Sequence, residues 1–78
     1  MSGQANRQLL FVPERLNDEI DARVLTNAEA ARMLGVTEKT LIRWRSGQFQ
    51  PHRSNLRRMA EVFERDPRWF VVTEEQAA

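Results

Sequence analysis

The chain has no cysteine, no tyrosine, one histidine, three glycines and three prolines among its 78 residues. Without cysteine there is no disulfide and no thiolate, and a lone His52 cannot assemble a Cys-His or Cys-rich zinc site. The glycines are scattered, so no phosphate-cradling loop is written anywhere. No apolar run approaches the length of a membrane span and nothing resembles a signal peptide, which leads to the expectation of a cytoplasmic protein without a membrane partner. The residue sets from which active sites are built are missing as well. The expectation is therefore a non-enzyme with no catalytic residues, no cofactor, no metal and no small-molecule substrate. With 78 residues and 41% hydrophobic content the chain has room for one domain and a small core.

The net charge of +1 hides a sharp asymmetry. Arg32, Lys39, Arg43, Arg45, Arg53, Arg57 and Arg58 are opposed only by Glu38 between positions 32 and 58, so that stretch carries +6 and the flanks carry −5. A basic band of this kind is the electrostatic footprint of a protein that neutralises phosphates. The acidic flanks keep it from being a general polyanion binder.

Within that band, residues 27–46 read as two short helices joined by a tight turn, the pattern of a helix-turn-helix DNA reader. Ala30, Ala31 and Leu34 supply the inner face of the first helix, and Gly35 can take the positive φ that ends it. Thr26 or Asn27 caps its start, with Glu29 in the first turn. Val36 plugs the space between the helices and Thr37 is a good N-cap for the second. Leu41 and Trp44 form that helix's inward stripe, leaving Thr37, Glu38, Lys39, Ile42, Arg43 and Ser46 outward.

The flanks are simpler. Residues 1–8 are polar and are expected to be a disordered arm, leaving 9–73 as the single domain and 74–78 as a frayed tail. Leu9 to Val12, closed by Pro13, suits an extended segment or a helix start. Leu16, Ile20 and Val24, at spacings of four, predict one apolar stripe on a helix over 14–24. Ser46-Gly47 stops the second motif helix, and 47–53, broken by Pro51, is expected to be a minimal wing. A third helix is expected over 54–65, with Leu56, Met59, Ala60 and Phe63 inward. Arg53, Arg57 and Arg58 crowd its first half against the helix dipole, an arrangement that bound phosphates would offset and that solvated arginines also explain. In the tail, Trp69 and one or two neighbours are expected to close the core, with the rest of Trp69-Phe70-Val71-Val72 either packed there or exposed as a patch for another subunit. The fold class is mainly α, a small helix-turn-helix or winged-helix-like domain.

The run Leu25-Thr26, Glu29-Ala30-Ala31, Leu34-Gly35-Val36-Thr37, Thr40-Leu41, Arg43-Trp44, then Gly47-Gln48-Phe49, resembles the MerR-like helix-turn-helix of phage excisionases. These small non-catalytic proteins bind repeated attachment-site DNA cooperatively, bend it and steer a partner integrase toward excision. The resemblance implies double-stranded DNA and a phage integrase as partners, with head-to-tail self-association on DNA. It makes Glu38, Lys39 and Arg43 base-edge candidates and Thr37, Thr40 and Arg45 phosphate or positioning contacts, while Arg53 reaches a neighbouring groove or phosphate after the wing; Arg57 is a phosphate candidate from its charge and place alone. Glu38 serves either base reading or the helix dipole. Ile42 is either buried, the preferred reading, or set against a thymine methyl. The segment Gly47-Gln48-Phe49-Gln50-Pro51 followed by Leu56, Met59, Ala60 and Phe63 also looks like the all-helical Cro/repressor type. That implies a transcriptional repressor on a promoter operator. A protein-only adaptor would account for the apolar tail but leave the basic band without a role.

Overall fold

The computed structural model describes residues 9–74, so the arm expected over 1–8 and the tail beyond Glu74 lie outside the described residues. The element order is β1 (Leu9–Phe11), α1 (Pro13–Ala22), α2 (Asn27–Leu34), α3 (Glu38–Arg45), α4 (Arg53–Phe63), a 3-10 turn at Pro67–Phe70 and β2 (Val71–Thr73). The expected mainly α architecture is present. Leu16 and Ile20 from α1, Ala30, Ala31 and Leu34 from α2, Leu41 and Trp44 from α3, and Met59, Ala60 and Phe63 from α4 meet in one core. Phe11 and Phe70 close it from the two ends of the domain's chain. Phe70 is wholly buried, and at roughly 1.5–3 kcal/mol per buried large side chain it helps anchor the C-terminal segment.

Local chemistry sets the boundaries of these elements. Pro13 stands in the first turn of α1, where its missing N–H costs nothing. Thr26 and Glu29 form a complete capping box. The Glu29 backbone N–H donates to Thr26 Oγ1 at 3.0 Å, and Glu29 Oε1 accepts the Thr26 N–H at 2.8 Å. Those bonds hold the Glu29 carboxyl below its ordinary pKa. At the start of the 3-10 turn Asp66 accepts from Arg68, which lowers its pKa to about 2. A depressed carboxyl stabilises the fold above its ordinary range, and that contribution is lost as the pH falls through the folded value.

Three expectations about the fold need correction. The segment 47–52 forms turns and no strand, so there is no wing. The buried Pro51 has no N–H to give to a ladder, and the Gln50 side chain is spent accepting the Phe11 N–H at 3.1 Å. The two strands come instead from the ends of the domain and pair antiparallel, Leu9 with Thr73 and Phe11 with Val71. The apolar tail packs as expected: Phe70 is buried and Trp69 lies against the core, while Val71 and Val72 are half-buried in the pairing. The third expected helix begins at Arg53 rather than 54 and stops at Phe63 rather than 65, because Glu64 adopts a left-handed φ of 58°.

Val24 does not extend the stripe of Leu16 and Ile20. Helix α1 ends at Ala22, and Val24 sits in the turn with φ 54° and 87% of its surface exposed. A β-branched residue in the left-handed region is strained, and here no burial compensates it. Val24→Gly is therefore expected to raise stability by roughly 0.5–1 kcal/mol despite glycine's larger unfolded-state entropy, read as a higher melting temperature. A lower melting temperature would show that the strain relieved at 24 is smaller than the entropy glycine adds to the unfolded chain.

Candidate nucleic-acid interface

Helices α2 and α3 form the two-helix motif. Gly35 ends α2 with φ 72°, and Val36 N–H returns to Ala31 O at 3.0 Å, turning the chain sharply. A Cβ at position 35 would stand 3.3 Å from Arg58 Nη2, so the guanidinium of α4 lies close over the turn, at the C-terminal end of the α2 dipole. Thr37 then caps α3: its Oγ1 accepts the Thr40 backbone N–H at 3.1 Å and donates to Thr40 Oγ1, also at 3.1 Å. The cap fixes where the helix starts, and the buried pair Leu41 and Trp44 fixes which face points out.

Glu38 and Lys39 are exposed on that outer face, and Thr40 and Arg43 are half-exposed beside them, one helical turn apart. Lys39 and Arg43, four residues apart, share one side of α3, while Thr37, Glu38 and Thr40 surround its N-terminal end, Glu38 and Thr40 on opposite flanks. Glu38 sits in the first turn, where a carboxylate suits the positive end of the dipole; base reading stays open to it. Ile42, preferred as buried, is 46% exposed. Leu41 and Trp44 already fill the inward arc, and a residue one position from Leu41 is rotated about 100° away from it. Its apolar surface therefore joins the outer face.

Of the two roles expected for Arg45, phosphate or positioning contact, its hydrogen bonds fit positioning. Its Nε donates to Asn17 Oδ1 at 2.6 Å, its Nη1 to Asn27 Oδ1 at 2.6 Å and its Nη2 to Asp21 Oδ1 at 3.3 Å. Asn17 Nδ2 completes the clasp on the Arg45 carbonyl at 3.3 Å. Arg45 therefore ties the end of α3 to α1 and to the first residue of α2. No periodicity pointed to Asn17 or Asn27 as its partners, since they lie 28 and 18 residues away.

On α4, Arg53 and Arg57 are exposed in the first half of the helix, with no acidic residue in its first turn. Arg53 borders the Gln50-Pro51 loop, and both arginines flank a shallow apolar groove floored by Leu9, Leu56 and Val71. A second groove, with Thr40 and Trp44 on one side and His52 and Asn55 on the other, joins α3 to the start of α4. His52 and Asn55 were not singled out from the sequence. Their signal is the polar run His52-Arg53-Ser54-Asn55 at a helix start. Among the described residues no group of three or more His, Cys, Asp or Glu side chains is placed to hold a metal ion. No described helix is long and apolar enough to cross a membrane.

The cations divide into two sets. Arg23, Arg45, Arg65 and Arg68 are each paired with a carboxylate. Among the described residues, Lys39, Arg43, Arg53 and Arg57 are paired with none. Arg15 on α1, Arg32 on α2 and Arg58 on α4 also have no carboxylate partner among the described residues, so four of the seven unpaired cations lie on α3 and the first half of α4. Desolvating these four against a polyanion breaks no internal ion pair.

If Arg57 meets a phosphate, Arg57→Ala weakens binding to all duplex sequences alike and flattens the log affinity against log salt slope by about one unit. Slopes measured by fluorescence anisotropy over a salt series check this. An unchanged slope would remove Arg57 from the interface.

A family model described as helix-turn-helix matches residues 21–70. A Haemophilus influenzae protein described as an uncharacterized HTH-type transcriptional regulator is 42% identical over 60 residues, which are 77% of this chain and 25% of that protein. The chain thus spans about a quarter of the length of that relative. No solved structure matches the chain.

Proposed function

Because the chain belongs to the Cro/C1-type helix-turn-helix family, we propose that it is a sequence-specific double-stranded DNA-binding domain of a transcriptional regulator. Helix α3 lies in the major groove and the start of α4 lies against the backbone. It acts by occupying DNA, without catalysis. The observation that carries this reading is that four cations without a carboxylate partner, Lys39, Arg43, Arg53 and Arg57, stand on the motif's second helix and the first half of α4. Arg43 supplies a fork for guanine and Lys39 a further donor at base edges, while Thr37, Thr40, Arg53 and Arg57 meet phosphate. The relative's description favours regulation.

The excisionase reading rests on a motif that regulators share, and 47–52 forms no strand that would add wing contacts to it. The test is selection from a pool of duplexes with randomised cores, followed by gel-shift and bending measurements on the enriched sequence. Enrichment of one compact, palindromic operator supports the regulator. Stepwise complexes on direct repeats with a large bend would restore the excisionase, its head-to-tail assembly and an integrase partner. No enrichment at all would remove sequence-specific DNA binding.

A further inference from the structure

Phe49 is a large aromatic residue left 50% exposed on the loop after α3. Its ring lies beneath the Arg43 guanidinium, with Cζ 5.0 Å from the ring centroid. The loop is folded back onto the same residue. Arg43 O accepts from Gln48 N–H at 2.9 Å, from Ser46 Oγ at 3.1 Å and, at 3.4 Å, from Phe49 N–H. Gly47, with φ 80°, makes that reversal possible. On its far side the loop is pinned, because Gln50 Oε1 accepts the Phe11 N–H and Pro51 is buried. The ring is therefore held by the fold while the guanidinium resting on it has no carboxylate partner among the described residues.

We propose that Phe49 is a positioning residue, a fixed aromatic platform that orients Arg43 for bidentate recognition of a guanine edge. This rests on the reading of α3 as the DNA-reading helix. A free arginine samples many rotamers and loses that freedom on forming a fork, whereas a guanidinium stacked on a ring keeps its planar N–H edges free in a restricted orientation. Part of the ordering is done before DNA arrives. Phe49 therefore acts on one base pair, through Arg43, and leaves the rest of the interface alone. An exposed phenylalanine serving only as packing for the loop would instead affect every position alike.

The experiment uses the full chain with Phe49→Leu, Phe49→Tyr, Arg43→Ala and the Arg43→Ala/Phe49→Leu pair. The base pair read by Arg43 is identified as the one whose preference Arg43→Ala abolishes in the selected duplex. Phe49→Leu is expected to lower preference at that pair by about tenfold, within the range set by one bidentate contact. Affinity for a random duplex and the salt slope should stay unchanged, and Phe49→Tyr should restore the preference. The double variant should lose no more preference than Arg43→Ala alone. Independently of any DNA, the Arg43 side-chain protons should be shifted upfield by the ring in the free protein's NMR spectrum and return toward ordinary positions in Phe49→Leu. Absence of that ring-current shift, equal loss at all base pairs, or additive loss in the double variant overturns the proposal. Failure of the wild-type chain to enrich any duplex overturns the DNA reading, and the ring-current shift then still reports whether the platform exists.

Discussion

Glu19→Ala is expected to cost about 3 kcal/mol of folding stability, a large share of the roughly 4–12 kcal/mol that a domain of this size commands. Glu19 is the one buried charged residue of the described core, with its side chain 4% exposed on α1. One oxygen accepts from Arg23 Nη1 at 2.8 Å and the other from Arg65 Nε at 2.8 Å. Each arginine extends the tie to an aromatic ring. Arg23 lies over Phe63 and donates to Phe63 O, while Arg65 lies over Trp69, a ring that Arg15 also stacks on. Arg15 Nη1 in turn donates to Trp69 O at 2.9 Å. One carboxylate therefore joins α1 to the end of α4 and, through Trp69, to the segment leading into β2. Removing it leaves a void among buried groups and two guanidinium ions without their acceptor. Both arginines are partly solvated, at 36% and 46%, which keeps the cost near the lower bound for breaking a buried pair. Glu19→Gln keeps the shape and one acceptor, so it should lose markedly less. Urea unfolding followed by tryptophan fluorescence checks both variants, and equal midpoints for Glu19→Ala and wild type would show that the cluster is ornamental.

The parts of the fold legible in the sequence are those decided within four or five residues. The capping box at Thr26 and Glu29, the Gly35 turn, the Thr37 cap and the Leu41-Trp44 stripe each depend on neighbours in the chain, and all are present. Even so, the turn before α2 departs from the local pattern. Val24 continues a spacing of four that the backbone abandons two residues earlier, since periodicity does not register where a helix stops. What escaped prediction depends on partners far along the chain. Leu9 pairs with Thr73 in strands only three residues long, too short to announce themselves by alternation. That pairing, and not a wing, is what uses the apolar tail. Arg45 illustrates the same limit at the site. The sequence leaves it open to phosphate or positioning contacts, and a rotation of about 100° per residue turns it toward α1 and the start of α2. Charge clustering in sequence located the basic band. Only the pairing pattern separates the cations that are available to a polyanion from the one that is spent inside.

That separation predicts opposite behaviour for two arginines of the same helix. Arg45→Met retains the aliphatic stem but removes the donors to Asn17, Asn27 and Asp21, leaving two half-buried amide oxygens without partners. Hydrogen bonds from a charged donor contribute about 1.5–3 kcal/mol each when well shielded, and this site is partly open. The expected loss of stability is accordingly about 2–3 kcal/mol in sum. At a temperature where the variant is folded, its salt slope on DNA should match wild type, because no phosphate contact has been removed. Affinity should still fall, since α3 has lost its tie to α1 and α2, and a recognition helix free to rock presents Lys39 and Arg43 less consistently. Arg43→Ala should do the reverse, leaving the unfolding midpoint within about 0.5 kcal/mol of wild type and discarding roughly 1–3 kcal/mol of discrimination at one base pair. Denaturant melts and a salt series on the same selected duplex measure both variants. If Arg45→Met is as stable as wild type and flattens the salt slope by about one unit, Arg45 belongs at the phosphates after all and the clasp is not what holds α3.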